Sequence, residues 1–257
     1  MSSLPSPRRV VPGRLCDEGL LSSATAMASI GFDPSFAEVA ESMSHGGRHY
    51  SLAWSPGAMP DTDTQITLCG LILAGGRARR LGGVEKGLAD WRGRPLVATA
   101  AEALRSHCDT LLISANRRLS DYRSWADKVV SDAPEFDDAG PLAGLLSGLR
   151  CARDLGFVGV LVMPCDTPAV SADIMGELAG AVRQDPQRMV LARVGDRLHP
   201  LHGYYPVHLV DALQRDLEQG GRKVMAFAGA QDPRYLDLPV ASTVFRNLNA
   251  PEDWEAP

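Results

Sequence analysis

From residue 66 onward, apolar residues along the chain recur in two alternating rhythms. "ITLCGLILA" (66–74) is a short, nearly unbroken apolar run, the pattern of a strand buried on both faces. "PLVATAAEALRSH" (95–107) follows with apolar residues three and four apart, the period of a helix covering a sheet. The same alternation predicts a strand in "DTLLISAN", a helix in "PLAGLLSGLRCARDLG" ended by Gly156, and a strand in "FVGVLVMPCD". It continues with a helix in "SADIMGELAGAVRQ", a strand in "RMVLARV", a turn and strand in "GDRLHPLHGYYP" and a helix in "VHLVDALQRDLEQGG". A short helix and edge strands are expected in the remainder. Strands that alternate with helices imply an α/β fold, with a largely parallel sheet covered on both faces.

The first 65 residues lack this rhythm, and Pro, Gly, Ser and Met are scattered through them. They are expected to form a poorly ordered extension (1–65) ahead of a single domain (66–257). Within the extension, "PSFAEVAESM" predicts a short helix over 34–43, since Phe36, Val39 and Met43 recur at helical spacing and Ser35 is a capping residue. His45 and His49 lack carboxylate or thiol companions and read as loop residues rather than metal ligands.

Composition narrows the function by exclusion. The 257 residues are 45% hydrophobic and 22% charged, an ordinary globular balance. A net charge of -5 argues against binding nucleic acid through a broad basic surface, so any anionic ligand must be held by a local cluster. Five cysteines without CxxC spacing suggest neither a disulfide framework nor a zinc module, and point to reduced thiols in the cytoplasm. No apolar run approaches the roughly 20 residues of a membrane span, and the first residues lack the apolar core of a secretory signal.

The candidate chemistry begins where the strand at 66–74 ends, in "LAGGRARRLGGVEKGL" (Leu73–Leu88). In an open parallel sheet, ligands bind beyond the carboxyl ends of the strands. Glycines there let backbone N–H groups approach a phosphate, and arginines and a lysine favour a polyphosphate. Neither GxxxxGK[ST] nor GxGxxG occurs, so this is neither a P-loop nor a dinucleotide fingerprint. Asp166 follows the apolar run "VGVLVM" and precedes Pro168, which places an oxygen ligand at another strand end facing the same crevice. Taken alone, Asp166 also fits a turn or helix-capping residue, Lys86 a solvated lysine and Asp132 a turn former before Pro134.

The stretch resembles the signature LAGGxxxRMGGxDKGL of the molybdenum cofactor guanylyltransferase family, with Leu81 in place of the methionine and Glu85 in place of the aspartate. Further matches run in family order: "GRPL" from Gly93, "SANR" from Ser114, "SDAPEFDDAGPLAGLLSGL" from Ser131, "MPCDTP" from Met163, "HPLHGYYP" from His199, "GGRKVMAF" from Gly220 and "NLNAPEDW" from Asn247. The resemblance covers nearly all of residues 68–254 and none of the extension. It implies a three-layer α/β/α, Rossmann-like nucleotidyltransferase fold with a mostly parallel, mixed sheet. It also implies transfer of GMP from GTP to molybdenum-molybdopterin, with Mg²⁺ as cofactor and Asp166 as its ligand.

By the same resemblance, Arg80, Lys86 and Asp166 are the catalytic set, and Leu73, Ala74, Gly75, Gly76, Asn116 and Asp132 join Lys86 and Asp166 in binding nucleotide. Ser114 stands where the family commonly has an asparagine, and its single hydroxyl offers less than an amide. His199, Arg222, Lys223, Asn247 and Asn249 match positions around the pterin side, where each could also be structural. Molybdenum-insertion proteins and molybdoenzyme chaperones are the expected protein partners, with no nucleic acid, no membrane and a monomeric chain. "LAGG" rather than "LAAG" favours guanine over cytosine. A cytidylyltransferase of molybdopterin, another nucleotidyltransferase and a non-catalytic carrier of the cofactor are the alternatives.

Overall fold

The apolar runs of the second half become neighbours in one sheet. The computed structural model describes residues 39–44, 47–52, 66–75, 85–137 and 139–249. The chain divides into two units, Met1–Asp63 and Thr64–Pro257.

In the first unit, strand β1 (Val39–Ser44) pairs antiparallel with β2 (Gly47–Leu52), with Val39 opposite Leu52 and Ser44 opposite Gly47. This corrects the helix expected over 34–43, of which residues 34–38 lie outside the described residues. The pairing of Ser44 with Gly47 leaves only His45 and Gly46 to join the strands. A two-residue, glycine-containing link of this length suits a hairpin, and a paired strand then satisfies backbone groups that an isolated short helix would leave at its ends. His49, expected in a loop, sits in β2 opposite Ser42. His45 lies outside the described residues.

In the second unit the strands are β3 (Cys69–Leu73), β4 (Asp90–Trp91), β5 (Arg94–Pro95), β6 (Thr110–Ser114), β7 (Lys128–Val130), β8 (Gly159–Pro164), β9 (Val190–Val194), β10 (Arg197–Pro206) and β11 (Arg234–Asp237). Those of the main sheet lie in the order β11-β9-β10-β8-β3-β6-β7, while β4 and β5 form a small separate hairpin. β3 is parallel to β6 and β8, and β6 to β7; β10 runs antiparallel to both β8 and β9, and β11 is parallel to β9. Strand β10 is thus the single reversed strand in a sheet of seven among the described residues.

Helices α1 (Leu96–Arg105) and α4 (Ala172–Gln184) cover one face, α3 (Pro141–Asp154) and α5 (Val210–Glu218) the other; α2 (Leu119–Tyr122) and α6 (Val224–Gly229) are short. The period of two along each strand divides the core. Ile72, Ile113, Leu161 and Met163 pack with Val97, Leu104, Met175 and Leu178, whereas Leu71, Leu112, Val160 and Val162 pack with Leu145, Leu149 and Leu213. A Cβ on Gly148 would collide with Leu71, and one on Gly144 with Ser114 and Leu73, so these two glycines let α3 lie close against β3 and β6. No helix among the described residues is long and apolar enough to cross a membrane.

Candidate active site

Four parallel strands end on one edge of the sheet, and each carries a residue singled out by sequence. Gly75 lies just past β3, Asn116 past β6, Asp132 past β7 and Asp166 past β8. Because the strand order is β8-β3-β6-β7, these residues form a row in the order Asp166, Gly75, Asn116, Asp132. With about 4.8 Å between strands, the row spans about 14 Å. Its backbone is pinned between strands. The Ala74 N–H donates to Ser114 O (2.9 Å), the Ala115 N–H to Val130 O (2.9 Å) and the Cys165 N–H to Leu73 O (3.1 Å).

At one end of the row, Lys86 Nζ lies 2.7 Å from Asp166 Oδ2 and donates also to Asn249 Oδ1 at 2.7 Å. Both members of the ion pair are mostly enclosed, with side chains 22% and 16% exposed. The Leu248 N–H donates to the Asp166 carbonyl oxygen at 2.8 Å, which brings the C-terminal segment against β8. Asp166 Oδ1 is buried and has no hydrogen-bond partner. A buried carboxylate oxygen without a donor is costly unless a ligand supplies one. Among the described residues no group of three or more His, Cys, Asp or Glu is placed to hold a metal ion. A hard cation at Asp166 would therefore draw its other ligands from substrate phosphates and water, the habit of Mg²⁺ rather than of a protein-caged ion.

At the other end, Asn116 and Asp132 clasp each other. Asn116 Nδ2 donates to Asp132 Oδ2 (2.8 Å), and the Asp132 N–H donates back to Asn116 Oδ1 (2.9 Å). Asp132 Oδ1 is buried without a hydrogen bond of ordinary geometry, although the Ser114 hydroxyl lies near the carboxylate. Burial raises the Asp132 carboxyl above its ordinary value and Asp137 adds to this, while hydrogen bonds from Asn116 and Ser114 pull the other way. A Cβ on Gly75 would sit 3.7 Å from Asn116 Nδ2, so Gly75 borders this clasp directly.

Leu73 and Ala74 are buried at the end of β3, and Gly76 and Arg80 lie outside the described residues. Ser114 is buried, with its hydroxyl against Gly144 in α3. The Arg222 guanidinium donates to Leu217 O and Gly221 O, capping α5, and exposed Lys223 precedes α6. His199 is buried in β10 and stacks on Phe245, with ring centroids 4.2 Å apart. Burial, with Arg197 nearby, holds its imidazole below the usual value. Of the two asparagines near the C-terminus, Asn249 joins Lys86, and Asn247 is exposed.

Several participants were not legible beforehand. Glu85, noted only as a substitute for aspartate, is 4% exposed, and its Oε2 lies 4.0 Å from Arg117 Nε. Burial raises its carboxyl, opposed by Arg117 and Arg118. Tyr122 lies beneath the same turn; its hydroxyl is buried without a partner, and its oxygen would be 2.6 Å from a Cβ on Gly87. Thr167 and His202 form a buried pair behind Asp166. For Thr167 the signal was its place in "MPCDTP"; none marked Tyr122.

A mostly parallel sheet with a glycine just past β3, a lysine paired to a strand-end aspartate, and two carboxylate oxygens without an ordinary hydrogen bond along the same strand ends belong to a nucleotidyltransferase. The chain is a member of the MobA-like NTP transferase family, whose domain model matches residues 70–234. It is 37% identical over 194 residues to a molybdenum cofactor guanylyltransferase of Pseudomonas paraeruginosa, a match that covers 74% of this chain and 94% of the relative. The corresponding protein of Pseudomonas putida is 38% identical over 195 residues, covering 76% and 98%. Among solved structures, molybdopterin-guanine dinucleotide biosynthesis protein A of Archaeoglobus fulgidus shares the fold with a TM-score of 0.60 at 21% identity, over 73% of this chain and 95% of that one. The 4-diphosphocytidyl-2C-methyl-D-erythritol synthase of Anaerococcus prevotii shares it with a TM-score of 0.55 at 12% identity, over 74% and 93%.

Proposed function

We propose that this nucleotidyltransferase moves GMP from GTP to the terminal phosphate of molybdenum-loaded molybdopterin, forming the guanine dinucleotide form of the cofactor and releasing pyrophosphate. The observation that carries this reading is the Lys86–Asp166 pair with its unpartnered Asp166 oxygen, at the opposite end of one row of strand ends from the Asn116–Asp132 clasp. The row of strand ends, about 14 Å long, offers one elongated ligand contacts at both of its ends. Names borne by relatives 37% and 38% identical to the chain support the choice of guanine and of molybdopterin.

The chemistry asks for charge control rather than proton transfer. A phosphate monoester, with a second pKa of about 6, is already largely dianionic at neutral pH. One of its oxygens forms a bond to the α-phosphorus, the bond from that phosphorus to the bridging oxygen breaks, and the electron pair leaves with pyrophosphate. The barrier lies in bringing two anions together. Lys86 supplies a fixed positive charge, and Arg80 and the backbone of Gly75 and Gly76 are assigned to the phosphates. Asn116 and Asp132 would hold the nucleoside end, so that the reacting atoms stay in line. Asp166 is the residue that would hold Mg²⁺, which when bound neutralises phosphate charge.

The four described cysteines, Cys69, Cys108, Cys151 and Cys165, are buried free thiols, in keeping with the reducing cytoplasm, where insertion proteins and molybdoenzyme chaperones would receive the product. The deciding experiment mixes purified protein, Mg²⁺ and molybdenum-loaded molybdopterin with each of the four nucleoside triphosphates and identifies the dinucleotide by mass. A guanine dinucleotide with stoichiometric pyrophosphate is expected. A cytosine product would replace the proposal with a cytidylyl transfer, and bound cofactor without pyrophosphate would make the protein a carrier.

A further inference from the structure

Directly after Asp166 the chain passes through Thr167, which is completely enclosed. Thr167 Oγ1 lies 2.8 Å from His202 Nε2 and 3.5 Å from the carbonyl oxygen of Pro164. The hydroxyl has one proton, so when it donates to Pro164 it accepts from an Nε2–H of His202, and when it donates to His202 it leaves the carbonyl. Either way the imidazole and the hydroxyl tie the turn from Pro164 to Thr167 to strand β10. His202 lies where β10 slips out of register with β9, between His199 and Gly203. The irregularity re-aims a side chain that a regular ladder would direct by strict alternation.

The tie continues on the far side of the ring. Phe245 meets His202 edge-on, at 4.8 Å and 86°, and stacks on His199. Three residues later Leu248 N–H reaches the Asp166 carbonyl, and Asn249 accepts from Lys86. Asp166 is thus held through its own carbonyl oxygen, through Oδ2 and through the residue that follows it, while Oδ1 alone stays open. Apolar residues at both 167 and 202 would fill the same volume without burying a hydroxyl and an imidazole, each of which costs free energy to take out of water. That cost is understandable if the pair sets geometry.

We infer that His202, acting through Thr167, is a positioning residue for Asp166, holding the strand-end turn so that Oδ1 is kept clear of every protein donor. The inference rests on the reading of Asp166 as the residue that holds a divalent cation. Displacements of about 1 Å at a reacting centre cost up to about a hundredfold in rate, so loss of the tie should appear in turnover and in metal-linked binding.

The test compares Thr167→Val and His202→Leu, which remove the bond, with Thr167→Ser and His202→Gln, which retain a hydroxyl or an N–H donor at its place. Calorimetry gives the GTP dissociation constant in Mg²⁺ and in EDTA; pyrophosphate release with molybdenum-loaded molybdopterin gives kcat and KM; thermal unfolding verifies that each variant is folded at the assay temperature. The expected result for Thr167→Val and His202→Leu is kcat lower by about tenfold or more, a smaller gain in GTP affinity from Mg²⁺, and unchanged affinity in EDTA. Thr167→Ser and His202→Gln should recover most of both, and the double variant Thr167→Val/His202→Leu should be no worse than the poorer single one. If His202→Leu does not fold, Thr167→Val against Thr167→Ser decides. Wild-type kcat and Mg²⁺ linkage in Thr167→Val, with only a lower melting temperature, would overturn the inference while Asp166→Asn still loses the linkage. Wild-type linkage in Asp166→Asn would overturn the cation reading, and the inference with it.

Discussion

Replacing Asp166 with asparagine keeps the shape of the side chain and removes its charge, so it separates folding from catalysis. The carboxylate lies 2.7 Å from the Lys86 ammonium, with both side chains mostly enclosed. At an effective dielectric of about 20, charges 4 Å apart attract by about 4 kcal/mol. The substitution removes one charge and not both, so the enclosed Lys86 ammonium loses its counter-ion and keeps only Asn249 and solvent, a loss of about 3–5 kcal/mol for a fully buried pair and less for this partly exposed one. The melting temperature of Asp166→Asn is therefore expected to fall, with the protein still folded at the assay temperature. Turnover should suffer beyond any loss of stability, because an amide is a poor ligand for a hard cation. A fall of about a hundredfold or more, equivalent to about 2.7 kcal/mol in the barrier, is expected. The assay is pyrophosphate release over a range of Mg²⁺ concentrations, with GTP binding in EDTA as the control. Lys86→Ala should do the reverse in that control, weakening GTP binding even without metal. If Asp166→Asn kept full transfer at low Mg²⁺, the role assigned to the aspartate would be wrong. Asp132, three strands and about 14 Å across the sheet, could not take its place in the same contact.

Other outcomes follow from the residues around this pair. Gly87→Ala should lower stability by about 1–3 kcal/mol, since its Cβ would press on the Tyr122 hydroxyl and on Ala74. Tyr122→Phe should be neutral or stabilising alone, because the hydroxyl is buried without a partner, and should recover part of the Gly87→Ala loss in chemical denaturation. The Glu85 carboxyl is raised above 4.5 by burial, so its contribution to stability is fully present below that pH and is lost as pH rises through the folded value. Glu85→Gln should therefore melt higher than wild type near pH 8 and level with it near pH 4; a gain of equal size at both would refute the assignment. A protein starting at Thr64 should keep near-native turnover, and a folded but inactive truncation would make the extension part of the site.

The reading from sequence reached furthest where the information is local. Apolar runs and helical spacing located β3, β6, β8 and the helices α1, α3 and α4, because burial on one face or two imposes those periods whatever the neighbours are. Lys86, Asp166, Asn116 and Asp132 stood out because each follows an apolar strand within a patterned motif. Their partners did not, since periodicity says which face of a strand is buried and not which strand lies beside it. The Lys86–Asp166 contact joins residues 80 apart in the chain, and the bond from Lys86 to Asn249 joins residues 163 apart. The reversal of β10 and the slip that turns His202 toward Thr167 are likewise products of sheet assembly. Ser114, matched in sequence only to a family asparagine, is buried with its hydroxyl against Gly144 of α3, a contact 30 residues away along the chain. At Val39–Ser44 helical spacing was present, and pairing with a second strand prevailed. The sequence by itself determined the class of fold and the charged residues that gather at the strand ends. Only the tertiary structure decided which atoms hold those charges in place, because that depends on groups brought together by packing across long stretches of chain.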